Sequence, residues 1–180
     1  MIQRYIIPTL LFLVVALTAS TRTYATTPEE YEQDIEQHLA GLKPITFRAD
    51  NEKDHIVIFV ENQCYYCADV IKNVKAYTDV GLTMSFLTAA PKSIRDSVIE
   101  DMSRVWCAAD PAKSLQNAMK GFLPDNDSTP ACTQLIEQQA ALADRLEIQA
   151  TPAMIVLRPT PVVFMGNVKP EIILKELSKQ

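Results

Sequence analysis

The spacing of apolar residues changes several times along the chain, and each change predicts an element. A largely apolar stretch, Tyr5 to Ala19, comes first. Thr27-Pro28-Glu29-Glu30 then reads as a helix start, with Thr27 as N-cap, Pro28 at the first helical position and Glu30 closing a capping box. The helix is predicted to run to about Leu39 and to stop at Gly41. Ile45-Thr46-Phe47 and His55 to Val60, β-branched and aromatic, predict two strands joined as a hairpin by the polar turn Asp50 to Asp54. Val70, Ile71, Val74 and Tyr77 recur at helical spacing up to Gly81, and Leu82 to Leu87 alternates as a strand. Strand, helix and strand together predict a crossover unit with parallel strands. Pro91 to about Leu146 is helical in pattern, broken at Asp110-Pro111 and over Leu123 to Pro130. Two short apolar strands follow, Met154 to Leu157 and Val162 to Met165, and Pro170 opens a closing helix. The class is α/β.

The opening stretch alters the reading of everything after it. Arg4 precedes the apolar run and Thr23-Tyr24-Ala25 follows it as a small-x-Ala cleavage pattern, so residues 1–25 are read as a signal peptide cut after Ala25. The alternative, an uncleaved anchor, is disfavoured because the run is short for a bilayer and polar residues follow at once. Export to the periplasm is expected, with no stable membrane insertion afterwards. The 180-residue chain has a net charge of −5, and loss of Arg4 and Arg22 takes this to −7. No basic stripe is present to displace phosphate counterions, so a nucleic-acid partner is not expected. In an oxidising compartment, cysteine pairs read as disulfides or redox centres rather than as metal ligands.

Four cysteines carry the chemistry. Cys64-Tyr65-Tyr66-Cys67 falls where a strand gives way to a helix, so free backbone amides and the helix dipole favour a thiolate at Cys64. Attack by Cys64 on a disulfide gives a mixed disulfide that Cys67, one turn away, can resolve. The competing reading is half of a zinc site or a plain structural disulfide, but neither histidine lies near the motif to complete a site. No cofactor or metal is expected. Glu61, three residues before Cys64, is read chiefly as a solvated turn residue, with a proton relay to Cys67 as the alternative. Tyr65 and Tyr66 shape the contact surface. Thr151-Pro152 alone is an ordinary turn; in cis it leaves the Thr151 backbone beside Cys64, free to pair with an extended substrate. Cys107 and Cys132 are expected to form a structural disulfide, worth about 3 to 4 kcal/mol on chain-entropy grounds. Trp106 is assigned to the core.

Together, Lys53 to Cys67, Val105-Trp106-Cys107-Ala108 with Asp110, Ala118 and Gly121, and Ala150-Thr151-Pro152-Ala153 resemble the periplasmic disulfide isomerases of the DsbC and DsbG type, from about Pro44 to the C-terminus. The resemblance implies a thioredoxin-like fold with a helical insertion over about residues 91–146, a redox pair at Cys64 and Cys67, a cis Pro152 and a Cys107–Cys132 disulfide. Tyr65 stands where that family has Gly, which implies altered access to the thiol. Residues 26–43 suffice for one helix, so the chain is read as a short form without the family's N-terminal dimerisation domain. Tyr31, Ile35 and Leu39 repeat every fourth position on that helix, which is expected to pack on its own domain. Similar short forms accompany conjugative transfer systems.

The expected function is thiol-disulfide exchange, isomerase or reductase, on exported proteins, with a membrane electron donor keeping Cys64 reduced. The alternative is a binding or chaperone module for a secretion or conjugation apparatus, its cysteines locked as a disulfide.

Overall fold

A five-stranded sheet organises the chain in the computed structural model, which describes residue 35 and residues 37–179. The strands are β1 (Ile45–Phe47), β2 (Asp54–Val60), β3 (Leu82–Thr88), β4 (Ala153–Val156) and β5 (Val162–Met165), in the spatial order β1-β3-β2-β4-β5. The signal peptide and all but the last turns of the N-terminal helix fall outside the described residues.

β2 and β3 are parallel, with Asp54 opposite Leu82 and Val60 opposite Thr88. β4 runs antiparallel to β2, and β5 to β4. The interior pair β2 and β3 is almost wholly buried, as expected for strands covered on both faces. One face of β2 and β3 contributes Ile56, Ile58, Val60, Met84 and Phe86 to the larger core. The other contributes Val57, Phe59 and Leu87, which pack with Ile35, Leu42, Leu142 and Leu146. Period-two alternation therefore divides one apolar run between two cores.

The predicted hairpin does not form. β1 pairs antiparallel with β3, not with β2, because β3 is inserted between them. The connection over residues 48–53 passes the start of β3, where the Lys53 and Asp54 amides both donate to the Gly81 carbonyl, at 2.8 and 3.3 Å. With apolar side chains on both faces, β3 takes an inside position, and the three-residue β1 is left at the edge.

The single helix expected after Cys64 is two helices, α1 (Tyr65–Lys72) and α2 (Val74–Thr78). Asn73 makes the break: its side-chain amide donates to the Asp69 carbonyl at 2.8 Å, competing with the helical ladder. Between β3 and β4 run α3 (Arg95–Cys107), α4 (Pro111–Ala118) and α5 (Pro130–Arg145). Asp110 caps α4 and Thr129 caps α5, each accepting from the amide three residues on, with Pro at the first helical position. The disulfide Cys107–Cys132 joins the end of α3 to the start of α5. Trp106 is buried, its Nε1 donating to the Lys43 carbonyl at 3.0 Å. α6 (Pro170–Leu177) closes the chain and adds Ile173 and Leu177 to the larger core.

Candidate active site

The β2 strand ends at Val60 and α1 begins at Tyr65, so the intervening loop sits at the C-terminal end of an interior strand. Cys64 is the N-cap of α1. Its backbone is extended, and its Sγ takes the place usually held by a Ser or Asp oxygen, accepting from the Cys67 amide at 3.2 Å. The Cys64 thiol faces the Thr151 carbonyl at 3.4 Å. Cys64 is half-buried and Cys67 buried, and neither is in a disulfide.

These surroundings separate the two sulfurs. The Cys64 thiol is lowered from its ordinary value to about 6, chiefly because the Cys67 thiol donates to it, helped by the Thr151 side chain and by the Cys67 and Tyr66 amides, against the opposing effect of burial. Burial pushes Cys67 strongly upward, and its hydrogen bond to Cys64 adds to the rise. A nucleophile poised as thiolate beside a protonated reserve is the arrangement that thiol-disulfide exchange requires.

Thr151 and Pro152 are joined by a cis peptide bond, which places Thr151 against Cys64 from the loop before β4. Across the β4–β5 pair, the Gly166 amide donates to the Pro152 carbonyl at 2.8 Å.

Glu61 is not the solvated turn residue favoured from sequence: it is 5% exposed. Its carboxylate accepts from the Gln63 amide, and burial raises its pKa, with the nearby Cys64 thiolate adding to the rise. The loop is tied to α3 by the two residues after Glu61, through Asn62 Nδ2 to Asp101 Oδ2 at 2.7 Å and Gln63 Nε2 to Ser97 Oγ at 2.9 Å. Sequence reasoning missed these supports, which bring together positions 34 and 39 apart in the chain. Tyr65 and Tyr66 are 81% and 60% exposed, with rings 5.6 Å apart edge to face, so both stand at the mouth of the site. The Cys107–Cys132 disulfide lies apart, at the far end of α3. Among the described residues no group of three or more His, Cys, Asp or Glu side chains is placed to hold a metal. No described helix is long and apolar enough to cross a membrane.

A sheet with this order, a dithiol at the start of the helix following an interior strand, and a cis proline whose preceding residue faces the first sulfur define a thioredoxin-type fold. The model of the thioredoxin-like domain matches residues 40–180, and the chain belongs to that family. Its curated relatives are thiol:disulfide interchange proteins of the DsbC type. DsbC of Haemophilus influenzae is 27% identical over 135 residues, covering 75% of this chain and 57% of that protein. DsbC of Dickeya dadantii is 30% identical over 123 residues, covering 67% and 50%. The chain thus spans about half the length of the curated relatives it matches. Among solved structures, a disulfide interchange protein from Neisseria gonorrhoeae superposes with a TM-score of 0.60 at 19% identity, covering 76% of this chain and 94% of that one. The catalytic domain of Proteus mirabilis ScsC gives 0.59 at 20% identity, covering 83% and 99%. These two likenesses speak to the fold.

Proposed function

We propose that the chain is an exported thiol-disulfide oxidoreductase that reduces or isomerises non-native disulfides of periplasmic proteins. The contrast between the two sulfurs supports this reading most directly: Cys64 is held by donors with its thiol lowered to about 6, and Cys67 is buried and pushed upward. The Cys64 thiolate attacks a client disulfide. The client S–S bond breaks, a bond from Cys64 Sγ to one client sulfur forms, and the other client sulfur leaves as a thiolate and takes up a proton. Cys67 then gives up its proton, with the buried Glu61 carboxylate assigned as the relay, and attacks Cys64 Sγ. The second client thiol is released, and two electrons have passed from the dithiol to the client. In the isomerase variant the released client thiolate attacks another disulfide of its own chain, the thiolate expelled there attacks the client sulfur of the mixed disulfide, a new client S–S bond forms, and Cys64 leaves as the thiolate it was at the start. The Thr151 backbone offers an extended client segment a strand-like partner beside Cys64. A membrane electron donor is assigned the task of restoring the reduced pair, because the periplasm is oxidising.

Insulin reduction and the refolding of scrambled ribonuclease, run side by side on protein of measured oligomeric state, test the reading. Reduction without refolding assigns a reductase, and refolding assigns an isomerase. Loss of both, with Cys64 alkylating no faster than a free model thiol at neutral pH, overturns the proposal in favour of a binding module.

A further inference from the structure

A groove of about 330 Å3 opens between α1 and the α4 end, walled at one side by Tyr65, the residue after Cys64. Its floor is apolar, formed by Ala68 and Ile71 of α1 and by the buried Met119. Its rim carries two exposed lysines, Lys72 and Lys120. Neither has an ion-pair partner among the described residues. The groove holds one carboxylate, Asp69, whose Oδ1 accepts from Asn73 and Oδ2 from Asn167, both neutral amides, so the two lysines outnumber it and the lining is net positive. Two lysines without ion-pair partners among the described residues, over an apolar floor, stand against the chain's overall charge of −5. An apolar floor accepts an aliphatic stem, and the lysines then meet a carboxylate at its end.

We propose that this groove is a client-selecting subsite that takes a glutamate side chain lying a few residues from the reactive cysteine of an extended client segment. The inference deepens the oxidoreductase reading and rests on it. Lys72 and Lys120 act on client capture and take no part in the exchange at sulfur. The arrangement needs α1 and α4 side by side, so it depends on the helices between β3 and β4 as well as on the motif.

The test is a single-turnover reduction by the prereduced protein, which itself supplies the two electrons. The substrates are disulfide-linked peptides identical except for Glu, Gln or Lys at positions flanking the cysteine. At low ionic strength the Glu peptide is expected to react roughly three- to tenfold faster than the Lys peptide at one or more flanking positions. The preference shrinks toward unity in 1 M salt. The Lys72→Gln/Lys120→Gln variant is expected to lose the preference while reducing hydroxyethyl disulfide, an uncharged small substrate, at the wild-type rate. Equal rates for the Glu and Lys peptides at every position, or a preference that persists in the double variant, overturn the subsite and leave the oxidoreductase reading standing. Failure of the wild type to reduce hydroxyethyl disulfide removes both.

Discussion

The amide of Cys67 donates to Cys64 Sγ at 3.2 Å, so the residue that resolves the proposed mixed disulfide also helps hold the attacking sulfur as a thiolate. The Cys67 thiol is the largest contributor to the lowering of Cys64, and the same contact helps push Cys67 upward. One geometry serves both cysteines because Cys64 occupies the N-cap of α1 and Cys67 lies one turn into it.

The first consequence is measurable as a titration. Iodoacetamide should alkylate Cys64 in the reduced protein with a half-maximal rate near pH 6, where an unfolded cysteine gives about 9. Folding is linked to the same proton. Cys64 is lowered in the folded state, so its ionisation adds nothing below about pH 6, adds progressively as the pH rises, and contributes fully above the unfolded value. In denaturant unfolding of the reduced protein, the stability of the wild type relative to Cys64→Ala is expected to grow from pH 5 to pH 8. A midpoint of alkylation near 9 in the native protein excludes the donor-lined sulfur described here.

Glu61 gives a prediction in which stability and activity move oppositely. Its pKa is raised by burial, so the protonated form favours folding, and that contribution is lost as the pH climbs through the folded value. Glu61→Gln keeps an acceptor for the Gln63 amide and carries no charge. It is expected to be more stable than the wild type at pH 8, with the advantage disappearing near pH 4. Release of the mixed disulfide by Cys67 should slow by roughly tenfold or more, because the proton on Cys67 loses its relay, while alkylation of Cys64 proceeds normally. Unchanged release kinetics in the variant assign Glu61 a structural role only.

How much of this was open to a reader of the chain depends on whether the deciding contacts are local. The placement of Cys64 and Cys67 at a helix start is legible because strand, loop and helix start are contiguous in sequence. The caps of α4 and α5 are equally local, each set by an Asp-Pro or Thr-Pro pair. The partner of β1 is not local. Ile45-Thr46-Phe47 reads as a strand in any sheet, and its pairing with Met84 to Phe86 is decided by which strand needs cover on both faces. Glu61 fails for the same reason. A carboxylate after a strand reads as solvated, and its burial follows from Asn62 and Gln63 being drawn onto Asp101 and Ser97 of α3. Lys72 and Lys120 share a rim only because α1 packs beside α4.

The second disulfide should govern stability and leave the chemistry intact. Cys107 and Cys132 are 25 positions apart, and closing a loop of that length is worth about 3.5 kcal/mol through the unfolded chain. The active-site loop is anchored to Ser97 and Asp101, in the first half of α3, whereas Cys107 ends that helix. The Cys107→Ser/Cys132→Ser variant is therefore expected to lose about 3.5 kcal/mol in urea unfolding and to keep its single-turnover rate near wild type. A collapse of the rate in variant protein that is still folded shows that the loop depends on the far end of α3.

Gly81 allows the clash at the β3 start to be separated from backbone preference. Its φ is +97°, in the region that disfavours any side chain, and a Cβ built there meets the Asn51 carbonyl at 2.8 Å and Lys53 Cγ at 2.9 Å. The lysine can move aside, but the carbonyl cannot do so freely, because the Lys53 amide two residues on is held to the Gly81 carbonyl itself. Gly121 supplies the control: its φ is +86°, yet nothing lies within 4 Å of its Cβ position. Gly121→Ala should show the conformational penalty alone, on the order of 1 kcal/mol, and Gly81→Ala that penalty plus the clash, about 2 kcal/mol or more. The damage falls at the Asp54 end of β2, opposite the Cys64 loop, so folded Gly81→Ala protein is expected to alkylate at Cys64 with the wild-type pH profile. Equal losses for the two variants in chemical denaturation remove the steric account of why the connection over residues 48–53 passes β3 where it does.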